Sequence, residues 1–349
     1  MSSGSRPAPL RIAAMGAGFW ARFQLSAWRE VPGVEIAALC DVERAKAEKM
    51  AHNLGIPRVF SDPLEMLQQV RPQLVDVITS PSTHADMVRL AASQRVPVVV
   101  QKPMALSLRE AEELVATCRS AGVPFFVHEN WRWQRPLREL QRVLAQGEIG
   151  QIFRARITMV SGFPVFANQP YLKDLPQFLL ADMGVHILDV ARLLFGEAES
   201  VYSQTCRVHE DIRGEDVATV LLRTRAGATV VCEMGYAGNA LERDRFPETY
   251  VFVEGAQGSA ELAPDFWIRV TTAGGTVARR CPPPRYAWAD PAYDVVHASM
   301  PACHENVARA VRGEGAAETT GEDNVKTLRL VFGAYDSAAT NQVVAIPPA

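Results

Sequence analysis

The first guide to this chain is what it lacks. It has no apolar run long enough to cross a bilayer and no run of basic residues. Its 36 Lys and Arg nearly balance its 39 Asp and Glu, for a net charge of -3. A membrane and a nucleic acid are therefore not expected partners. The cysteines are few and scattered: Cys40, Cys118, Cys206, Cys232, Cys281 and Cys303 include no C-x-x-C pair. That argues against a metal site and for reduced thiols, and so for a cytoplasmic protein. Met1 to Pro9 is rich in Ser, Gly and Pro and has no apolar h-region, so it reads as a mobile tail rather than a secretory signal. No internal repeat is visible. The remainder, 48% hydrophobic and 21% charged over 349 residues, suits a globular protein with two cores.

The stretch Leu10 to Asp41 organises the rest. An apolar run, Leu10 to Met15, leads into Gly16-Ala17-Gly18-Phe19-Trp20-Ala21, a G-x-G-x-x-A turn. A helix to about Arg29 is expected next, then a strand Val34 to Cys40 that ends at Asp41. Gly16 permits a tight turn, Gly18 lets the backbone approach a pyrophosphate, and Ala21 lets the helix pack closely on the strand. The helix N-terminus, reached through Phe19 and Trp20, offers N–H groups and partial positive charge to phosphate. Asp41, about 20 residues on, is placed to accept hydrogen bonds from a ribose. A lone glycine turn of this kind is weak evidence; its context of strand, helix and strand ending in Asp makes it a dinucleotide site. NAD is expected over NADP, because Asp41 would repel a 2′-phosphate. Arg44 could partner that phosphate and is the counter-indication.

Strands and helices alternate as far as Phe125-Phe126-Val127. Asp62-Pro63 opens one helix, and Ser107 with Glu110 forms a capping box for another. The pattern predicts a parallel sheet covered on both faces, with ligands at the carboxyl ends of the strands. Gly16, Gly18, Asp41, the segment Thr79 to His84 and Lys102 all fall at such ends, and Ser80, Thr83, His84 and Gln101 join them as cofactor candidates. After His128 the rhythm changes to long β-rich segments with few helices. The fold class is thus α/β: a Rossmann domain over residues 1–128, then an α/β domain over 129–349 with a large, mostly antiparallel open sheet. Residues Arg279 to Pro291 read as a loop.

Two groups carry chemistry. Lys102 follows a buried strand and precedes Pro103; it is either a cleft lysine or a solvated one at a strand end. Asp182 and His186 lie four apart on a helix expected from Ala181 to Phe195, with Asp189 continuing near that face. A carboxylate there would orient the ring and favour its charged form, and the histidine could move a proton near neutral pH. The bland alternative is a helix-face pair with no chemistry. Trp131, Arg132 and Trp133 line a cofactor–substrate cleft or form an amphipathic packing segment. Gln169, Tyr171 and Lys173 lie upstream of the Asp/His helix and, by position alone, could reach a substrate hydroxyl. His128, His209, His297 and His304 read as structural or exposed.

The GAGFWA turn, TSPSTH, QKP, HENWRW, DMGVH before a helix and the run GEDNVKTLRLVFGAYDSA together resemble the Gfo/Idh/MocA sugar oxidoreductases over nearly the whole chain. The resemblance implies NAD or NADP, a sugar or polyol substrate, and an open C-terminal sheet used for a homodimer or homotetramer. It makes Lys102 the substrate-contacting lysine and proton relay of the family's E-K-P motif, His186 the acid/base and Asp182 its companion; Asn130, Arg132 and Tyr171 complete the candidate substrate contacts. Here Gln101 replaces the glutamate of that motif, and Gln177 to Leu180 replaces a Gly-rich lead into the Asp/His helix. GFWARFQLSAW, QKPM and HENWRWQ point to a branch that oxidises a branched aldopentose at C1 to a lactone. The alternatives are an inositol- or ketosugar-type oxidoreductase and a non-catalytic NAD(P)-binding regulator, which would need no Lys102, Asp182 and His186 together.

Overall fold

The computed structural model describes residues 8–237 and 243–348. The expected N-terminal tail, 1–9, lies outside them but for its last two residues. The chain divides into two units. One comprises Met1–Glu129 with Met300–Val325, the other Asn130–Ser299 with Lys326–Ala349.

In the first unit, β1 (Leu10–Met15), β2 (Val34–Cys40), β3 (Val59–Phe60), β4 (Leu74–Val77), β5 (Val98–Gln101) and β6 (Phe125–His128) form a parallel sheet in the order β3-β2-β1-β4-β5-β6. Helices α1 (Ala21–Trp28), α2 (Arg44–Leu54), α3 (Pro63–Val70), α4 (Pro81–Ser93) and α5 (Leu108–Ala121) make the crossovers. The caps expected from sequence form. Asp62 accepts from the Glu65 amide at 2.9 Å, and Ser107 accepts from the Glu110 amide at 3.2 Å. The β4 strand is buried along its whole length, as a sheet covered on both faces requires.

A boundary at residue 128 would leave the late helix Met300–Val311 outside this unit. It packs on α1 instead, and its Val307 and Ala308 are fully buried in one core with Leu25, Trp28 and Leu39. The following segment then extends the sheet edge: the Val127 amide donates to the Thr319 carbonyl at 2.8 Å. The reason is apolar burial. Val307 and Ala308 bury apolar surface against α1 that would otherwise face water.

In the second unit, the nine-stranded sheet runs β14-β13-β12-β11-β7-β10-β9-β8-β15. Its strands are β7 (Ile152–Val160), β8 (Ala198–Cys206), β9 (Val217–Thr224), β10 (Thr229–Gly235), β11 (Tyr250–Gly255), β12 (Gly258–Ala263), β13 (Trp267–Thr272), β14 (Gly275–Arg280) and β15 (Val344–Ala345). All pairings are antiparallel except β7 with β10. Strand β14 was not expected. It is exposed at every residue, so it lacks the inside–outside alternation that marks a strand, and it takes in Arg279 and Arg280 from the expected loop. Helices α6 (Arg135–Ala145) and α8 (Val185–Phe195) pack on one face of this sheet; α7 (Val165–Asn168) and α9 (Asp294–His297) are single turns. Helices α10 (Met300–Val311) and α11 (Gly321–Thr340) complete the chain.

A buried ionic cluster fixes α8. Asp189 is fully buried and takes both Arg132 Nε, at 2.6 Å, and Arg132 Nη2. Thr327 Oγ1 donates to the same carboxylate at 3.0 Å, and Arg192 Nη1 donates to Thr327 Oγ1 at 2.8 Å. Arg192 also pairs with Glu197. Arg132 was a candidate substrate contact; the structure corrects this, because its fork is committed to Asp189. Removing one member of a buried pair leaves the other charge uncompensated, at about 3–5 kcal/mol. Asp189→Asn should therefore lower the denaturant-unfolding free energy by about that much; a loss within the error of the measurement would show that the cluster does not hold α8.

Candidate active site

The nucleotide half is built at the carboxyl ends of the parallel strands. Gly16 has φ +104, and a Cβ there would stand 2.4 Å from the Ile78 carbonyl oxygen, so only glycine fits where β1 and β4 leave the sheet. Around the Cβ position of Gly18 nothing lies within 4 Å. That open space is what a pyrophosphate needs, and it faces an α1 N-terminus with no side-chain cap. Phe19 is 41% exposed, and the Arg22 guanidinium lies over the rings of Phe19 and Phe23; Trp20 is partly buried beside Phe23.

Asp41 does more than await a ribose. One carboxylate oxygen accepts from the Ala17 amide at 2.7 Å and the other from the Glu43 amide at 2.8 Å. These bonds tie the glycine turn to the end of β2 and aim the carboxylate. Two oxygens offer about four acceptor positions, so ribose hydroxyls still find acceptors here. The negative charge disfavours a 2′-phosphate. Arg44, at the start of α2, is paired with Glu48 at 2.8 Å, both well exposed. These residues fit NAD.

The β4 end closes around His84. Its ring is buried, with Nδ1 2.8 Å from the Pro103 carbonyl and Nε2 3.0 Å from the Thr79 carbonyl. It thus clamps the loop after β4 to the loop after β5. Burial, then the charge of Lys102, hold its pKa below the usual histidine value, against the two carbonyls that favour a charged ring. Thr83 Oγ1 bonds Thr79 Oγ1 and the Ser80 carbonyl, which shapes the same turn. Lys102 is partly buried, beside Pro103. The Gln101 side chain points inward, where it accepts from the Lys102 amide at 2.7 Å and donates to Gln24 at 2.8 Å.

The second unit holds the proposed proton-transfer residues. Leu180–Gly184, which includes Asp182, is a π-helical turn, and the α-helix begins only at Val185. A π turn is wider than an α turn, so a spacing of four no longer defines one face through it. The inference of a shared α-helical face is corrected accordingly. His186 is 4% exposed and stacks on Trp131, ring centroids 4.6 Å apart at 22°. Trp131 is itself fixed by a bond from Nε1 to Thr249 Oγ1 at 2.9 Å. The choice left open for Trp131 resolves as packing that supports the histidine.

Glu215 was not anticipated. It accepts from the amides of Phe178, at 3.2 Å, and Leu180, at 2.9 Å, and from the Tyr335 hydroxyl at 2.7 Å. The Ala181 amide donates to that hydroxyl at 3.1 Å. A carboxylate and a tyrosine thus satisfy the N–H groups that open the π turn. Glu215 and Tyr335 lie 35 and 154 residues from their amide partners, so no local pattern announces them.

Asp182 sits among tyrosines. Burial first, and the Asp182 charge second, push Tyr171 up to about 12, and the same two causes raise Tyr236 well above the ordinary value. Both phenols are neutral donors at neutral pH. Tyr171 is half exposed and bonds Gln169 at 3.0 Å, so it remains a candidate substrate contact. Lys173 is paired with Asp211. Asn130 does not remain a candidate: it is 2% exposed, and its Nδ2 donates to Ser299 Oγ at 2.8 Å and to the Val296 carbonyl at 3.1 Å. Among the described residues, no group of three His, Cys, Asp or Glu is arranged to hold a metal.

A Rossmann sheet with this glycine turn and a carboxylate at the end of its second strand is the architecture of an NAD-binding oxidoreductase. The family follows from comparison: the family described as an oxidoreductase family with an NAD-binding Rossmann fold, GFO_IDH_MocA, matches residues 10–129, and its C-terminal domain matches 137–261. The chain belongs to the Gfo/Idh/MocA family. It is 40% identical over 332 residues to a D-apiose dehydrogenase of Paraburkholderia graminis, covering 95% of this chain and 88% of that one. It is 37% identical to the D-apiose dehydrogenase of Rhizobium rhizogenes, over 97% of each. An oxidoreductase from Agrobacterium radiobacter, solved with NAD+, L-tartaric acid and magnesium, superimposes with a TM-score of 0.94 at 37% identity, covering 96% of this chain and 98% of that one.

Gly16 and Gly18 make a contrasting pair. Gly16→Ala should lower the thermal midpoint, because its Cβ meets backbone. Gly18→Ala should leave the midpoint of the ligand-free protein near the parent and weaken NAD binding by about tenfold or more by calorimetry. Equal NAD affinity in Gly18→Ala and the parent would remove that open space from the cofactor site.

Proposed function

We propose that the protein is an NAD-dependent sugar dehydrogenase that oxidises an aldose at C1 to the lactone, with D-apiose the first candidate. The observation that carries this reading is the pair of relatives at 40% and 37% identity over nearly the whole chain, both D-apiose dehydrogenases. NAD, when bound, takes the hydride that leaves the carbinol carbon. Lys102 donates a hydrogen bond to the reacting hydroxyl and helps relay its proton. His186, held flat against Trp131, accepts that proton, and Asp182 is its companion. Tyr171 hydrogen-bonds another hydroxyl of the sugar. A cytoplasmic location is supported by six free thiols and by the lack, among the described residues, of any helix able to cross a membrane.

A panel of aldoses, inositols and other polyols with NAD+ and NADP+, followed by nicotinamide absorbance, tests the assignment. D-apiose with NAD+ should give the highest kcat/KM. A clear preference for a cyclic polyol would move the reaction to a secondary hydroxyl, and no turnover anywhere would favour a regulatory role. General acid–base help is typically worth roughly 10² to 10⁴ in rate. His186→Ala should lower kcat by that order and lose the acidic limb of the pH profile, since a protonated ring cannot accept a proton. Lys102→Met should abolish turnover with NAD binding retained; near-parent kcat in either variant would remove that residue from the mechanism.

The open face of the nine-stranded sheet is the surface for self-association. Phe252 and Leu221, 43% and 41% exposed, lie on it with Arg156 and Val231 between them in register. A homodimer or homotetramer through this face would cover them. Light scattering should give a dimer or tetramer, reduced to monomer by Phe252→Asp with Leu221→Arg; a monomeric parent would sink the idea.

A further inference from the structure

Behind the nucleotide half lies a polar circuit that the mechanism above does not use. Asp76 projects from β4 and is fully buried. Its carboxylate accepts from Gln24 Nε2 at 2.9 Å to each oxygen, and from Trp28 Nε1 at 2.7 Å. Gln24 Oε1 accepts from Gln101 Nε2 at 2.8 Å, and Gln101 Oε1 accepts from the Lys102 amide at 2.7 Å. Every donor in this chain faces the same way, from the Lys102 N–H toward the Asp76 carboxylate. The orientation of both amides matches the ionised carboxyl, which has only acceptors to offer.

Aromatic rings wall the chain in. His304 of α10 stacks flat on Trp28 at 3.9 Å and 2°, and His128 lies 4.8 Å from His304 and 3.4 Å from Gln101 Nε2. Asp76, Gln24, Trp28, Gln101, His128 and His304 are each at most 8% exposed. Burial pushes the Asp76 carboxyl up to about 7 against the opposing bonds from Trp28 and Gln24. A well-packed apolar residue at position 76 would avoid that burden. A buried carboxyl kept in spite of it calls for a task other than stability.

We propose that Asp76, Gln24 and Gln101 are positioning residues: a one-way chain of hydrogen bonds that fixes the backbone of Lys102, with the carboxylate held at residue 76 rather than at residue 101. The inference rests on the reading of Lys102 as a substrate-contacting residue. The chain fixes where that lysine starts, and a misplacement of about 1 Å at a positioning element can cost roughly 100-fold in rate. It also explains how a neutral Gln101 serves beside the lysine. An amide can both donate inward and accept from the Lys102 N–H, whereas a glutamate at 101 facing the Gln24 carbonyl would meet an acceptor with an acceptor.

Reversing the chain is the test. Gln101→Glu sets carboxylate oxygens against Gln24 Oε1 and should lower both the thermal midpoint and kcat, kcat by about tenfold or more. Asp76→Asn keeps one oxygen to accept from Trp28 but sets its amide nitrogen against the Gln24 donor, and should lower both as well. In the double variant the polarity can invert. The new amide at position 76 accepts from Trp28 through its oxygen and donates through its nitrogen to a turned Gln24 carbonyl. Gln24 Nε2 then donates to the new carboxylate at position 101, which still accepts from the Lys102 amide. The double variant should therefore recover most of the midpoint and most of kcat. Recovery of a folded, active double variant from an insoluble single counts the same way. A double variant no better than the worse single would overturn the chain. Recovery of the midpoint without kcat would overturn its positioning role. The reading of Lys102 is checked separately by Lys102→Met, which leaves the chain intact. If that variant keeps near-parent kcat, the lysine assignment falls and the proposal with it, while coupling of the midpoints in the double variant would persist and mark which of the two had failed.

Discussion

The nucleotide half depends on one constraint: β1 has β2 on one side and β4 on the other, so the chain leaves it in one direction and returns beyond it. At that reversal the turn after β1 and the turn after β4 cannot cover each other, and a crevice opens at the carboxyl ends. The two backbones nevertheless approach so closely that a Cβ at Gly16 would overlap the Ile78 carbonyl. The neighbouring features serve that crevice. Asp41 pins the first turn from the β2 side, and His84 pins the second to the loop carrying Lys102. Gly18 leaves room where a phosphate must come.

This half was legible because its signals are local. A glycine needing positive φ and a capping Asp or Ser act within a few residues of where they are read, and the carboxylate ending the next strand stands at a fixed spacing from the turn. The family resemblance rests on the same short strings. What could not be read depends on partners far away in the chain. Arg132 and Asn130 look like cleft residues beside two tryptophans, yet one binds Asp189, 57 residues on, and the other Val296 and Ser299, 166 and 169 residues on. Both are polar groups that a core must satisfy once it buries them. Nothing in the sequence near residue 130 distinguishes that need from a substrate's.

The same contrast explains the helix before His186. Its apolar spacing is helical throughout, and spacing alone cannot tell a π turn from an α turn. The difference is made by Glu215 and Tyr335, which arrive from other elements and supply the acceptors for the amides of residues 178, 180 and 181. With those amides held from outside, the first turn has no need of the tighter pitch. Sequence therefore offers Asp182 and His186 as candidates, while the geometry between them is set by residues it could not connect.

Buried polar groups fall into two kinds in this protein. The cluster of Arg132, Asp189, Thr327 and Arg192 joins charges of both signs and holds a helix in place; each member answers another. Asp76 is different, because its partners are an indole and an amide, and neither carries a compensating positive charge. Hydrogen bonds from neutral donors offset only part of the desolvation of a carboxylate, so its pKa rises. What it gains is direction. An ionised carboxyl favours one orientation for every amide behind it, and that order ends at the Lys102 backbone. Two apolar side chains at 76 and 24 would pack as well, but they would leave the Gln101 amide free to turn over and the Lys102 N–H without an assured acceptor. On the proposal above, the chain keeps an ionisable group in one core so that a single backbone bond at the end of β5 has one favoured way to form.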